Sequence, residues 1–188
     1  RRVWICMMAV LAILLLSACT KGGNMSSDSL YVKKVENLPE DFIFGMDASC
    51  VPSLEAGGVK YYDHEGTEKD VYQILAENGV NYIRVRVWND PFDKNGNGYG
   101  GGNCDIDNAI AIGKRATKYG MKLLVNFHYS DFWADPSKQM VPKAWAGMNT
   151  DRKSEALYAY TKECLEKLVA AGVDIGMVQI GNETNGAM

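Results

Sequence analysis

Histidine and cysteine are scarce in this chain of 188 residues, which has two histidines and five cysteines. Cys6 and Cys19 fall in an N-terminal segment considered below. The remaining three, Cys50, Cys104 and Cys164, are odd in number and widely spaced. Such a set gives no disulfide framework, so we expect buried or free thiols. With so few histidines and no cysteine pair at ligand spacing, the sequence does not support a zinc site.

The chain also lacks an excess of positive charge. It has 20 lysines and arginines against 23 aspartates and glutamates, a formal net charge of −3. Setting aside Arg1 and Arg2, which belong to the N-terminal segment, leaves 18 basic residues against the same 23 acidic ones. Because nucleic acid recruits lysine and arginine to its phosphates, we expect no nucleic-acid partner.

The N-terminal apolar run, residues 3–16, is too short for a transmembrane helix, which needs about 20 residues. Two arginines precede it and Leu16-Ser17-Ala18-Cys19 ends it, which is the pattern of a signal peptide. Small residues before a cysteine resemble the bacterial lipobox, in which cleavage leaves Cys19 as a lipidated N-terminus. The alternative is an ordinary secretory peptide in which Cys19 is incidental.

These features predict three segments and a location. Residues 1–18 form a lipoprotein signal peptide, residues 19–29 a flexible tether, and residues 30–188 the folded domain. The tether is rich in Gly, Ser and Asn, and it buries too little apolar surface to order itself. We expect an exported protein of the bacterial cell envelope that is attached to the membrane through the lipid on Cys19.

Short apolar runs alternate with helical patterns along the rest of the chain. The apolar runs are Phe42–Met46, Asn81–Trp88, Met121–Phe127 and Met177–Ile180, and the helical patterns are Glu68–Asn78, Ile106–Tyr119 and Arg152–Ala171. In the first helical pattern, Thr67 and Asp70 have the spacing of a capping box. The alternation predicts βα units and a parallel sheet. Because the chain lacks an initial methionine and stops soon after the fourth run, we expect it to be truncated at both ends.

Polar or aromatic residues follow each predicted strand. They are Asp47 after the first strand, Arg84 and Trp88 on the second, His128 and Asp131 after the third, and Asn182 and Glu183 after the fourth. The C-terminal strand ends form the active face of a (β/α)8 barrel. A doubly wound sheet would instead need a phosphate-binding glycine turn after its first strand, which Gly45-Met46-Asp47-Ala48 is not. We therefore predict a (β/α)8 TIM barrel, of which about the first four units are present.

The second predicted strand has charged side chains on the side that we expect to form the active face. Its period-two alternation places Arg84, Arg86 and Trp88 on one side. Buried arginines are costly unless carboxylates pair with them. The strand therefore indicates a polar site.

Four motifs resemble glycoside hydrolase family 53, the endo-β-1,4-galactanases, in their order and spacing. They are Gly45-Met46-Asp47-Ala48-Ser49, the stretch from Gly79 to Trp88, the stretch from His128 to Pro136, and Gly181-Asn182-Glu183. The similarity covers about Phe42 to Met188, and His-Tyr-Ser-Asp-x-Trp-Ala-Asp-Pro is its most specific part. The resemblance implies a retaining hydrolase of galactan or arabinogalactan.

The resemblance implies roles for residues at the strand ends. Glu183 matches the acid/base carboxylate, and Asn182 matches the residue that hydrogen-bonds the sugar 2-hydroxyl. The family nucleophile, a glutamate on the seventh strand, has no counterpart in this sequence. Arg84 matches the arginine that keeps the nucleophile ionised. We expect His128 and Asp131 to belong to the hydrogen-bond network around the sugar and the acid/base.

Other residues are candidates for contact with the polysaccharide. Sugar faces stack on aromatic rings, so we expect Trp88 and Trp133 to act as platforms. The loop formed by Asp135, Pro136, Ser137 and Lys138 carries groups suited to sugar hydroxyls. We expect Asp47 to support the site by hydrogen bonds.

The sequence leaves two other functions open. One is a related glycosidase, a mannanase or a xylanase, and the other is a non-catalytic glycan-binding surface lipoprotein. For the galactanase we expect a monomer without an organic cofactor, and the resemblance allows a calcium site only in the half that this sequence does not contain. We expect the 188-residue chain by itself to be inactive, because four strands cannot close a barrel and the nucleophile is missing.

Overall fold

The computed structural model describes residues 33–185, so the predicted signal peptide, Cys19 and the predicted tether lie outside the described residues. The chain divides into two units at Glu40. The described part of the first unit, residues 33–40, is exposed throughout. No helix in the described residues is long and apolar enough to cross a membrane.

The second unit contains four parallel strands and four α-helices within its described part. In chain order they are β1 (Gly45–Asp47), α1 (Val51–Ala56), α2 (Val71–Glu77), β2 (Tyr82–Val87), α3 (Ile106–Lys118), β3 (Lys122–Phe127), a 3-10 turn (Lys143–Trp145), α4 (Thr150–Ala170) and β4 (Ile175–Ile180). The strands form one sheet in the order β1-β2-β3-β4, and every pair is parallel. The predicted alternation of strands and helices is therefore confirmed.

The two central strands, β2 and β3, have apolar side chains on one side of the sheet and polar side chains on the other. Alternate residues on β2 and β3 are fully buried in the core with the helices: Ile83, Val85, Val87, Leu123, Val125 and Phe127. The residues between them include Arg84, Arg86 and Asn126, which lie on the opposite side because strand side chains alternate. The period-two prediction for β2 is thus confirmed.

The outer strands differ from the central ones in exposure. Phe44 and Met46 on the β1 side are 48% and 49% exposed, and Val178 and Ile180 on β4 are 40% and 65% exposed. Within the described residues, each of these strands pairs on one side only. β1 and β4 are therefore the edges of this sheet.

Helix α2 begins later than the sequence predicted. Asp70 is its N-cap and accepts a hydrogen bond from the backbone N–H of Tyr72 at 2.9 Å. Glu68 instead forms an isolated antiparallel bridge with Tyr62. The predicted start at Glu68, with Thr67 and Asp70 as a capping box, is therefore wrong, because backbone pairing in the preceding turn outweighs the local capping signal.

The other two predicted helices agree with the structure within two residues. Asp105 caps α3 by accepting from Asn108 N at 2.8 Å. Asn149 caps α4 by accepting from Arg152 N at 3.0 Å, so α4 begins at Thr150. The sequence did not predict α1, a six-residue helix directly after β1. The cysteines of the described residues are free, as expected.

An ion-pair cluster joins three of the helices. Arg115 on α3 contacts Glu55 of α1 at 2.6 Å and Asp70, the N-cap of α2, at 3.0 Å. Its guanidinium also lies over the ring of Tyr72, 4.5 Å from the centroid. Removal of one partner from such a partly buried cluster is destabilising, because the remaining charges lose their partners.

Candidate active site

The register of the sheet brings polar side chains of adjacent strands together. Asp47 on β1 is paired with Arg84 on β2. Further along, Arg86 on β2 is paired with Asn126 on β3, which is paired with Gln179 on β4. Because parallel strands end at the same edge, these side chains form one cluster at the C-terminal ends of the strands.

Arg84 is the central member of this cluster. Its Nη1 donates to Asp47 Oδ2 at 2.6 Å, and its Nη2 donates to Asn182 Oδ1 at 3.0 Å. Its Nε donates to Gln179 Oε1 at 3.3 Å. One guanidinium therefore connects the ends of β1, β2 and β4.

Asp47 is held as a carboxylate by its surroundings. Burial raises its pKa, but hydrogen bonds from Ser49, the charge of Arg86 and the hydrogen bond from Arg84 outweigh burial and leave the pKa below its ordinary value. The backbone N–H of Ser49 donates to Oδ1 at 3.0 Å, and Arg86 Nη1 lies 3.5 Å from the same oxygen. Asp47 is therefore an ionised carboxylate that is bonded to Arg84 and Ser49 within the cluster.

His128 lies beside the arginines and is 2% exposed. Its Nδ1 accepts from the backbone N–H of Ala134 at 3.1 Å, so the proton of the neutral ring is on Nε2, which faces Asn126. Burial and the charges of Arg84 and Arg86 lower the pKa of His128 to about 4. The ring is therefore neutral at pH 7.

The depressed pKa of His128 predicts a pH-dependent stability. The unfolded chain takes up this proton near pH 6.5 and the folded chain near pH 4, so stability is full above pH 6.5 and is lost as the pH falls toward 4. The loss amounts to at most about 3 kcal/mol, because one pKa unit corresponds to about 1.4 kcal/mol. Urea unfolding of the whole protein and of His128→Gln at several pH values should show a smaller decrease in the variant. Equal decreases in both proteins would contradict the prediction.

Asn182 is held on both sides of its amide. Its Oδ1 accepts from Arg84, and its Nδ2 donates to the carbonyl oxygen of Ala134 at 2.8 Å. Asn126, which is fully buried, is within hydrogen-bonding distance of the same Oδ1 at 3.0 Å. An amide NH2 has two hydrogens, and Ala134 is the one acceptor of the Asn182 Nδ2 among the described residues.

Glu183 has an exposed side chain and an unusual backbone. Its φ is +52°, and Gly181 two residues earlier has φ +81°. The left-handed region costs a non-glycine residue about 1–2 kcal/mol, and such residues are concentrated at active sites. Tyr129, two residues beyond β3, is also left-handed at φ +51°. The chain therefore turns sharply just after two neighbouring strands, and the second of these turns carries Glu183.

The two predicted platform tryptophans differ in exposure. Trp133 is 39% exposed, and the guanidinium of Arg86 lies under its ring, 4.4 Å from the centroid. Trp88 is fully buried and packs edge-on against Trp133 with centroids 5.5 Å apart. A ring without exposed surface offers no face to a sugar, so Trp88 supports Trp133 from behind instead of acting as the platform expected from the sequence.

Asp131 is placed differently from the expectation as well. Its Oδ1 accepts from the backbone N–H of Asp90 at 3.1 Å, and its Oδ2 accepts from the backbone N–H of Lys143 at 2.8 Å. Both oxygens are therefore occupied by the loops after β2 and β3. Asp131 fixes these loops and does not contact Asn182 or Glu183 through the described hydrogen bonds.

The predicted substrate loop is a tight turn. The carboxylate of Asp135 accepts from the backbone N–H and the hydroxyl of Ser137, at 2.8 and 2.7 Å, and Asp135 and Lys138 are bridged through their backbones. Pro136, Ser137 and Lys138 are exposed. The loop therefore presents the Lys138 side chain at the surface, while the Asp135 carboxylate is used by the turn itself.

Three polar residues at this site were not predicted: two belong to the cluster and one lies in the loop after β3. Asn126 and Gln179 are polar residues inside otherwise apolar strands. Buried parallel strands are usually apolar throughout, so these two exceptions could have been recognised from the sequence. Gln139 lies in the loop after β3, where no periodicity applies, and its side-chain amide reaches the turn that carries Glu183. No sequence signal identifies Gln139.

A family model described as glycosyl hydrolase family 53 matches residues 43–188. The chain is 57% identical over 162 residues to the endo-beta-1,4-galactanase of Bacillus subtilis (strain 168), and the match covers 86% of this chain and 38% of that protein. It is 41% identical over 139 residues to the arabinogalactan endo-beta-1,4-galactanase of Humicola insolens, covering 74% of this chain and 39% of the relative. The chain thus spans about two fifths of the length of these curated relatives.

Two solved structures resemble the fold. The catalytic domain of family 53 from Ignisphaera aggregans aligns with a TM-score of 0.80 and 49% identity, covering 82% of this chain and 43% of that chain. A structure described with two fungal beta-1,4-galactanases aligns with a TM-score of 0.67 and 41% identity, covering 74% of this chain and 40% of that chain. The fold prediction, the first four βα units of a (β/α)8 barrel, is confirmed.

Proposed function

Because this chain belongs to glycosyl hydrolase family 53, we propose that the whole protein is an endo-β-1,4-galactanase. Its substrate is galactan or arabinogalactan of the kind found in pectin side chains. The observation that carries the proposal is the guanidinium of Arg84, which joins Asp47 to Asn182 directly beside Glu183. Two relatives named as galactanases are 57% and 41% identical to this chain, which supports the choice of substrate.

The proposed reaction proceeds in two steps with retention at the anomeric carbon. Glu183 gives its proton to the leaving glycosidic oxygen while a second carboxylate, about 5 Å away, attacks the anomeric carbon. Glu183, now ionised, then takes a proton from the water that cleaves the galactosyl–enzyme ester. We propose that the second carboxylate is a glutamate on the seventh strand of the barrel, in the part of the family domain that this chain does not span. The two carboxyl groups carry the reaction without an organic cofactor.

The cluster around Glu183 prepares the site for this reaction. The free N–H of Asn182 is available to the sugar 2-hydroxyl, a contact that strengthens in the transition state. Arg84 supplies positive charge where a carboxylate nucleophile must stay ionised. His128, neutral at pH 7, adds no further charge. Each side chain is held by protein hydrogen bonds before substrate arrives, which lowers the cost of reorganisation.

The exposed ring of Trp133 is the proposed platform for a galactosyl unit. Arg86 below it and Trp88 behind it fix its orientation. A fixed aromatic face binds the apolar face of a sugar at small entropic cost. Lys138, at the tip of the neighbouring loop, is suited to contact hydroxyl groups of the same polysaccharide molecule.

The substrate proposal is tested by initial rates of the whole protein on β-1,4-galactan, mannan and xylan. We expect kcat/KM on galactan to exceed that on the other two polymers by at least about 100-fold, since hydrogen-bonding sites discriminate strongly among hydroxyl patterns. Faster cleavage of mannan or xylan would replace the galactanase by another glycosidase. Binding of galactan without release of reducing ends would identify a non-catalytic glycan-binding protein.

We also propose that the protein is exported and attached to the bacterial membrane through a lipid on Cys19. The support is the sequence alone: two arginines, a short apolar run and Leu16-Ser17-Ala18-Cys19. In bacteria that produce the whole protein, the wild type should sediment with membranes and Cys19→Ser should not. Equal distribution of the two proteins would favour an ordinary secretory peptide.

A further inference from the structure

We infer that Gln139 is the residue that positions the acid/base carboxylate, an inference that rests on the proposed function of Glu183. The side-chain amide of Gln139 donates to the carbonyl oxygen of Asn182 at 2.8 Å, and it lies 3.4 Å from the carbonyl oxygen of Glu183. It also donates to the carbonyl oxygen of Asp135 at 2.9 Å. One NH2 group therefore links the loop after β3 to the turn after β4.

The two carbonyls at the turn belong to the peptide groups on either side of the Glu183 Cα. The carbonyl of Asn182 precedes this Cα, and the carbonyl of Glu183 follows it. The dihedrals between these two peptide planes are the φ and ψ of Glu183. A donor shared by both oxygens therefore restrains the two rotations that decide where the Glu183 side chain points.

The restraint matters because the conformation is unfavourable without support. Glu183 has φ +52°, and a strained residue persists only when its surroundings hold it. The two N–H groups of Gln139 are directed at Asp135 and at the Asn182–Glu183 turn, so the amide has a fixed anchor on one side and the strained turn on the other. Neighbouring Asn182 is held independently through its own side chain by Arg84 and Ala134. Gln139 thus acts on the backbone of Glu183, while Arg84 acts on Asn182.

This arrangement makes Gln139 a positioning residue, since its amide is occupied by the protein backbone and acts through Glu183. Misplacement of a catalytic group by about 1 Å can lower the rate by about 100-fold. Removing the amide should therefore weaken proton donation to the leaving group more than it weakens substrate binding.

The test compares substrates that do and do not need a proton on the leaving group. Gln139→Leu removes both donors, and Gln139→Glu keeps the shape while replacing the amide by a group that accepts at neutral pH. We expect both variants of the whole protein to lose about 10- to 100-fold in kcat/KM on galactan, with kcat falling more than KM rises. On a 2,4-dinitrophenyl β-galactobioside, whose leaving group departs without protonation, kcat/KM should stay within about threefold of wild type.

A matched control is Gln73→Leu. Gln73 lies on α2, and its exposed side-chain amide donates to Glu77 at 2.8 Å. This variant should match wild type on both substrates. Circular dichroism and thermal unfolding of every variant establish that it is folded, and Gln139→Glu provides a second reading if Gln139→Leu does not fold.

Two outcomes would overturn the inference. Equal losses on galactan and on the dinitrophenyl substrate would mean that Gln139 supports the site as a whole, and unchanged rates would mean that it positions nothing. Failure of the proposed function gives a different result, because the wild type itself would cleave neither substrate.

Discussion

Replacing Glu183 by glutamine in the whole protein should lower kcat on galactan by about 10²- to 10⁴-fold, the contribution expected from a positioned general acid/base. Glutamine has nearly the same shape as glutamate and still forms hydrogen bonds, but its amide N–H is not acidic enough to transfer a proton to the glycosidic oxygen. In the proposed function, substrate binding uses Asn182, Trp133 and the loop after β3, so KM should change by less than about threefold. Initial rates over a range of galactan concentrations measure both quantities.

A change of leaving group separates loss of acid catalysis from damage to the site. On a dinitrophenyl galactobioside the first step needs no acid, so Glu183→Gln should keep most of its kcat/KM on that substrate. The control is Glu163→Gln, on an exposed turn of α4 where Glu163 pairs with Lys167 at 2.6 Å. Exposed pairs of this kind contribute about 0.3–0.5 kcal/mol, and the control should have wild-type kinetics. Unchanged turnover in Glu183→Gln would remove Glu183 from the mechanism.

Replacing Arg84 by methionine should lower kcat/KM on galactan by about 10²- to 10³-fold, the range found when one preorganised electrostatic group is removed. Methionine fills a similar length but donates no hydrogen bonds. Asn182 then loses its partner at 3.0 Å, and Asp47 loses its partner at 2.6 Å. Asp47 would retain only Arg86 as a cationic partner, at 3.5 Å, so the net charge of the three side chains would fall from +1 to zero where the proposed nucleophile must be ionised.

The chain offers a closely matched control for Arg84→Met. Arg115 forms an ion pair of the same length, 2.6 Å, and the side chains of both arginines are 29% exposed, with their carboxylate partners 30% exposed. Arg115 lies among the helices, so Arg115→Met should lower the free energy of unfolding by about 1–3 kcal/mol and leave kcat/KM unchanged. Kinetics and urea unfolding of both variants measure the two effects separately. Similar activity losses in both would indicate that Arg84 matters for stability alone.

The fold was largely predictable because its signals are periodic. Alternating apolar and charged residues on β2 indicated which side of the sheet Arg84 occupies, and the polar residue after each strand indicated the common edge. The start of α2 was predicted wrongly because the bridge between Tyr62 and Glu68 depends on a backbone approach that no local pattern reveals. The short helix α1 was missed for the related reason that six residues give too little periodicity.

The site was predictable in part, and the exceptions are loop contacts. The residue type of Trp88 favours stacking on sugars, but its ring is covered by Trp133 and by Gly101. Gly101 approaches the Trp88 ring so closely that an added Cβ would lie 3.1 Å from it. The carboxylate of Asp131 accepts hydrogen bonds from two backbone N–H groups. The positions of these groups depend on the loop conformations, which the sequence does not reveal. Gln139 is defined by three carbonyl oxygens that meet only in the folded chain.

The edge strands β1 and β4 make the 188-residue chain prone to aggregation. β1 and β4 expose apolar side chains such as Met46 and Ile180, and their outer backbone groups can pair with strands of other molecules. A preparation of the 188-residue chain should therefore aggregate as its concentration rises. Low concentration and low expression temperature suit that preparation, whereas in the whole protein further strands of the barrel would cover both edges.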